Sequence, residues 1–199
     1  PLSIREKRAM YAETSDSIEF SWAGEDARHT GNLVHALFHW IGEHGVDSWL
    51  SQGGINAHEH WCRRQLASEG ITGEKADRVL ERVTMAVENC LASKHGQWIL
   101  NDHEDAHSEF AITAVTDGHV PRSMVLDRTF IENGTRWIID YKTSTHGGGD
   151  LEAFLESERE RYAAQLGRYR KAMSLTETRP IKTALYFPLL DQFITVEPD

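Results

Sequence analysis

The sequence predicts an α/β fold, a mixed β-sheet flanked by helices, with a helical region on its N-terminal side. Three observations carry that reading. Apolar residues recur at helical spacing through the first half of the chain. Stretches rich in β-prone residues, separated by turn signals, fill much of the second half. A long helical pattern separates the strand Arg136–Lys142 from the strand Ile181–Phe187, and a strand–helix–strand passage implies parallel neighbours in one sheet.

Residues 1–29 are polar and weakly patterned, and read as a lead-in segment packed by Trp22. Thr30 is placed to cap a helix over Gly31–His44, whose stripe is Leu33, Val34, Leu37, Phe38 and Ile41, with Gly45 as its stop. His35 and His39 are one helical turn apart, a spacing that suits either a metal or a solvated pair. Helical patterns follow over His58–Ser68 and Glu74–Lys94, the second with interleaved charges on its outer face. In the run His58-Glu59-His60, consecutive helical side chains diverge by about 100°, so it reads as surface. Trp98-Ile99-Leu100 reads as a short strand and Asn101–His107 as an acidic loop. Glu109–Val115, a turn at Asp117-Gly118 and Met124–Ile131 continue as a meander. A two-residue turn there opposes Glu109 to Leu126, and a loop one residue longer opposes it to Asp127. Ser144–Gly149 is a glycine-rich loop, and Asp150 caps a helix to about Met173. Ile181–Phe187 and Gln192–Val196 complete the sheet.

The hairpin over residues 122–144 carries the chemistry. Asn133-Gly134 is a strong two-residue turn signal, because both central residues of a type I′ turn need positive φ. Such a turn sets Glu132 against Thr135 and carries Asp127 across from Asp140. Like charges directly opposed are destabilising, so a buried carboxylate pair needs a proton or a cation between its members. Lys142 follows Asp140 by two residues and shares its face. Ile138 lies on that face and Trp137 and Ile139 on the other, which suits a sheet covered on both sides. Carboxylate oxygens suit Mg²⁺, and a neighbouring lysine can orient water, stabilise anionic oxygen or act as a base. That is equipment for phosphodiester hydrolysis; the competing reading is a cross-strand Asp–Lys pair on a solvated face.

With 199 residues the chain is long enough for one domain with a sizeable core. No apolar run approaches the ~18–20 residues that span a bilayer, and no signal peptide is visible; no membrane partner is expected. Cys62 and Cys90 suit a reducing cytoplasm and exclude a four-cysteine cluster in this piece. A net charge of −10 argues against a long nucleic-acid-gripping face, though not against a nuclease fed by a basic partner. The chain opens on Pro1 rather than Met, which suits a domain of a longer protein. Arg159, Arg161, Arg168, Arg170 and Lys171 form a basic cluster in the long helix, suited to a phosphate track or to pairing with Glu156, Glu158 and Glu160.

Assembled in order, these pieces resemble the RecB/AddA-type nuclease domain of the PD-(D/E)XK superfamily, the C-terminal domain of helicase–nucleases. The matching pieces are Gly31–His35 (G-x-x-x-H), Ser108-Glu109-Phe110, Val125–Arg128 with its Asp127, Asp140-Tyr141-Lys142-Thr143, and Gln165–Tyr169 (Q-x-x-x-Y). One departure is Met124, where that family often carries Gly. The resemblance implies a restriction-endonuclease-like domain over residues 30–199, with 30–100 mainly helical and 101–199 a mixed sheet with a helix. It implies that His35, Asp127, Asp140 and the main-chain carbonyl of Tyr141 bind Mg²⁺, with Mn²⁺ or Ca²⁺ as substitutes. Lys142 would be the catalytic lysine, Glu109 an accessory acid, and Gln165 and Tyr169 would position the DNA strand or Lys142. The implied function is a DNA nuclease of exonuclease V type in double-strand-break repair and recombination. Its partners would be single-stranded DNA ends, a helicase domain in the same chain and a second helicase–nuclease subunit. The rival expectations are a non-catalytic DNA-binding or scaffold module of the same fold, a free-standing nuclease, and a zinc enzyme using the histidines.

Overall fold

The computed structural model describes residues 24–115 and 121–197. The expected turn at Asp117-Gly118 and the lead-in up to Ala23 lie outside them. Five helices come first: α1 (Gly24–His44), α2 (Val46–Ser51), α3 (Gly54–Ser68), α4 (Gly73–Ala92) and α5 (Lys94–Leu100). Then come β1 (Glu104–Ala114), β2 (Arg122–Glu132), β3 (Thr135–Tyr141), α6 (Leu151–Met173), β4 (Ile181–Phe187) and β5 (Gln192–Val196). The strands form one sheet in chain order, antiparallel except where β3 lies parallel to β4. This is the mixed sheet flanked by helices that the sequence predicts, and α6 is the crossover between the two parallel strands.

The sheet is covered on both faces. On one, α1, α4 and α5 bring Phe38, Ile41, Val83, Val87 and Ile99 against Phe130, Ile139, Tyr141 and Tyr186. On the other, Leu166 and Met173 of α6 meet Leu185 and Phe187 in one cluster, and Leu126 and Ile138 in another. Fully burying an aliphatic or aromatic side chain contributes about 1.5–3 kcal/mol, so both layers are needed to hold the strands between them.

The hairpin forms as its turn dictates. Asn133 and Gly134 take φ of 49° and 72°, and pairing runs from Glu132–Thr135 to Arg128–Ile139. Asp150 caps α6, its Oδ1 accepting from the N–H groups of Glu152 and Ala153, an arrangement that contributes about 1 kcal/mol.

Four expectations are corrected. α1 begins at Gly24, so Thr30 is an interior residue and no cap; its hydroxyl donates to the carbonyl of Asp26 one turn back. The last residues of the expected lead-in are therefore helical. The short helix α2 was not expected; it buries Trp49, whose ring stacks on His58. Trp98-Ile99-Leu100 is helix rather than strand, because Ser93 Oγ accepts from Gly96 N–H and starts α5 directly after α4. A Cβ on Gly96 would lie 2.1 Å from the Cys90 carbonyl oxygen, so only glycine permits so tight a junction. Finally, β1 starts at Glu104, inside the expected loop Asn101–His107. Its polar first half is the exposed end of an edge strand, which carries no apolar alternation to announce it.

Candidate active site

The site lies where β2 and β3 reach α1, at the end of the hairpin away from the turn. Two local features shape it. In β1, Ser108 pairs with Arg128 and Phe110 with Leu126, so Glu109 falls opposite Asp127, the longer-loop alternative. Glu109 takes φ of 51°, rare for a non-glycine residue within a strand. In a regular strand, residues two apart share a face. Here they do not. Ser108 Oγ accepts from Arg128 Nη1 in the layer of α5, whose Ile99 carbonyl accepts from Arg128 Nε. Phe110 and Leu126 pack instead with Ile138 and Met173 under α6. Both strands switch faces at Glu109 and Asp127, and the two acids sit in the crossing.

His35 is delivered by α1. Its Nδ1 lies 3.2 Å from Asp127 Oδ1 and 3.8 Å from Glu109 Oε1, and its Nε2 is 3.2 Å from the Tyr141 carbonyl oxygen. Ligand atoms of His35, Glu109 and Asp127 all fall within 4.8 Å of one another. The glycine of the G-x-x-x-H piece has a structural reason: a Cβ on Gly31 would sit 3.1 Å from Thr143 Oγ1, so the helix passes close over the end of the D-Y-K-T segment. Asp127 Oδ2 accepts the Tyr141 N–H at 2.8 Å, which fixes the peptide whose carbonyl faces His35.

Asp140 is 3% exposed and lies outside that three-residue set, although Asp127 and His35 both act on its charge. Lys142 Nζ stands 2.5 Å from its Oδ2, and Gln165 Nε2 donates to its Oδ1 at 3.0 Å. The same Gln165 nitrogen donates to the Tyr169 hydroxyl at 2.7 Å, so α6 reaches the site through both residues of the Q-x-x-x-Y piece. Burial pushes the Asp140 carboxyl above its ordinary range; Asp127 adds to this and Lys142 opposes it. Burial alone would pull Lys142 down, but Asp140, Tyr162 and Asp127 outweigh it and hold the ammonium above its ordinary value. At neutral pH Lys142 is therefore a cation.

The donor set fits a hard divalent cation: two carboxylates, a backbone carbonyl and one imidazole, beside a third carboxylate. A soft-metal site is not supported, since Cys62 and Cys90 are buried elsewhere with their thiols pushed up to about 12 by burial. His39 stays outside the cluster. The run His58-Glu59-His60 gathers no ligands: Glu59 pairs with Arg63, and His58 stacks on Trp49. In the basic cluster of α6, Arg159 pairs with Glu156 and Arg161 with Glu158. The sequence places Tyr162 on the apolar side of the long helix and Glu158 among partners for the arginines, and gives neither a site role; in the structure the Tyr162 ring faces Lys142 and Glu158 accepts from Ser144 Oγ. The available signal was their spacing of three and seven residues before Gln165, which puts all three on one helix face.

Among the described residues no helix is long and apolar enough to cross a membrane. Curated proteins give no match to this chain. The sequence from residue 11 to residue 197, which includes every site residue named above, matches the family described as the PD-(D/E)XK nuclease superfamily. The chain belongs to the PD-(D/E)XK nuclease superfamily.

Proposed function

We propose that the chain is a divalent-metal-dependent deoxyribonuclease, with Mg²⁺ as the working ion and Mn²⁺ or Ca²⁺ able to take its place. The observation that carries this is the gathering of His35, Glu109 and Asp127 beside a buried Asp140–Lys142 pair. His35, Asp127, Asp140 and the Tyr141 carbonyl would hold the ion, with Glu109 as a further acid. The chemistry such an ion supplies when bound is a water of lowered pKa and neutralisation of charge on the phosphoryl group.

The protein's own residues supply the rest. Lys142, kept protonated by Asp140, presents a cation to developing negative charge and can orient water by donating to it. It is poorly suited to act as a base, because its proton is held. Gln165 fixes Asp140, and Tyr169 fixes Gln165. Asp127, by holding the Tyr141 N–H, keeps that residue's carbonyl aimed at His35.

In the finer reading, the domain trims single-stranded ends delivered by a helicase domain or a second helicase–nuclease subunit during break repair, in the manner of exonuclease V, in the cytoplasm. The order of the five sequence pieces supports that setting, as do two unpaired buried cysteines.

Incubating the chain with end-labelled single-stranded DNA and Mg²⁺, beside Lys142→Ala, tests the proposal. Wild type should degrade the DNA, and the variant should do so about 10²- to 10³-fold more slowly. Equal degradation by both would remove Lys142 from the chemistry.

A further inference from the structure

The end of the hairpin and α6 run past each other in opposite directions and meet at three successive points. Asp140 accepts from Gln165. Two residues on, the Lys142 ammonium sits 3.9 Å from the centre of the Tyr162 ring. Two residues further, Ser144 donates its hydroxyl to Glu158 Oε2 at 3.2 Å. Alternate residues of an extended chain share a face and advance about 6.6–6.8 Å. Helix residues three or four apart share a face and advance about 4.5–6 Å. The two repeats agree well enough for three contacts, so each alternate residue of the segment has its own partner on the helix.

We propose that Tyr162 is a positioning residue for Lys142, holding the ammonium against Asp140 through the face of its ring. The role in catalysis rests on the nuclease reading above; the placement does not. A lysine stem has several rotatable bonds, and one carboxylate contact leaves the ammonium free to swing about it. A π face on the adjacent side removes that freedom, because its quadrupole attracts a cation. The chemical choice also makes sense. A carboxylate at 162 would add negative charge beside Glu109, Asp127 and Asp140, whereas a ring attracts the cation with no net charge of its own. The ring is in turn held from outside. The Arg161 guanidinium lies 5.2 Å from the ring centre and pairs with Glu158 at 3.3 Å. Glu158 is only 4% exposed and tethers Ser144, so the segment just after Lys142 cannot drift from the helix.

The test uses the metal-free chain with ¹³C-labelled lysine, followed by rate measurements with Mg²⁺ and single-stranded DNA. Protons above an aromatic face are shifted upfield, so the ε-methylene signal of Lys142, assigned by its loss in Lys142→Ala, should lie upfield of the other lysines. Tyr162→Leu should return it to their range, and Tyr162→Phe should keep it upfield. In the rate assay Tyr162→Leu should lower kcat about 10- to 100-fold with KM within about twofold, and Tyr162→Phe should restore most of the rate. Tyr162→Met, whose long flexible side chain fills the site without a π face, should match Tyr162→Leu and stands in if the latter does not fold. An unmoved Lys142 signal and unchanged kcat in the leucine and methionine variants would overturn the inference. So would a phenylalanine variant that behaves like leucine. If the signal moves as expected but Lys142→Ala cleaves DNA at the wild-type rate, the nuclease role of Lys142 falls and the placement of its ammonium stands.

Discussion

The two ends of the β2–β3 hairpin both bury charge, and they settle it differently. Near the turn, Arg136 is 5% exposed. Its guanidinium donates to Glu177 Oε2 at 3.1 Å and to the Asp105 carbonyl at 3.0 Å, and it pairs with the Asp105 carboxylate. Arg179 brings a second cation to Glu177 at 3.1 Å. Arg179 also lies 3.6 Å from Glu104, and His107 Nε2 lies 2.8 Å from Asp105, so each acid of the group meets a nitrogen partner. At the other end, among the described residues, Glu109, Asp127 and Asp140 gather with the imidazole of His35 and the ammonium of Lys142. The end near the turn joins arginines and acids in direct contact, and the far end gathers three acids around one imidazole and one ammonium.

The sharpest way to break that contrast is to remove charge at the acid-rich end. Asp127→Asn should lower nuclease activity by about 10²- to 10³-fold, measured on end-labelled DNA. Titration with Ca²⁺ should raise the Tm of wild type and leave that of Asp127→Asn unmoved, since an ion that binds only the folded state stabilises it. At the end near the turn the effect should fall on stability instead. Arg136→Leu takes one of its two arginines from Glu177 and the buried donor from Asp105, and should cost about 1.5–3 kcal/mol in urea denaturation, with the turnover of the folded fraction retained. Gly42→Ala probes the scaffold between the two ends. The new Cβ would lie 2.3 Å from Ser108 Oγ and 3.0 Å from Arg128 Nη1, and overpacking of this kind costs about 1–3 kcal/mol. The smallest effect is acid-dependent. The Arg179 N–H, Arg136 and Arg179 together hold the Glu177 carboxyl down at about 2, against an ordinary 4.5. A depressed carboxyl contributes stability that is fully present above its ordinary value and is lost as pH falls through the folded one. Glu177→Gln should therefore flatten the loss of wild-type stability between about pH 4.5 and pH 2, read by denaturation at stepped pH.

Much of this contrast was legible in the sequence, and the missing part has a physical cause. Asn133-Gly134 announces the turn, and a two-residue turn leaves only one register, so the pairing through Arg128–Ile139 follows from residue types alone. The ends of α6, β4 and β5 were equally plain, marked by Asp150 and by apolar runs between turn residues. The left-handed backbone of Glu109 left no trace, because nothing in its neighbours demands it. Without that kink, alternation would give Ser108 and Phe110 one face, and Glu109 would not reach His35. Nor could residue types separate helix from strand for Trp98-Ile99-Leu100, a short apolar run whose state is decided by Gly96 pressing on Cys90. The Tyr162–Lys142 contact is a tertiary event, visible in sequence only as a helical spacing shared with Gln165.

Arg128, next in sequence to Asp127, is 1% exposed, and the contacts of its guanidinium are to neutral oxygens. It donates to the carbonyls of Ile99 and Asn101 and to Ser108 Oγ. No carboxylate in those contacts cancels its charge, and burial keeps water and salt from screening it fully. A buried positive charge thus stands one residue along the strand from Asp127, in the layer of α1 and α5. Its hydrogen bonds bolt the strand on which Asp127 rides to both α5 and β1. The acid beside His35 thus keeps its place through bonds made one residue away, in the hidden layer of the sheet.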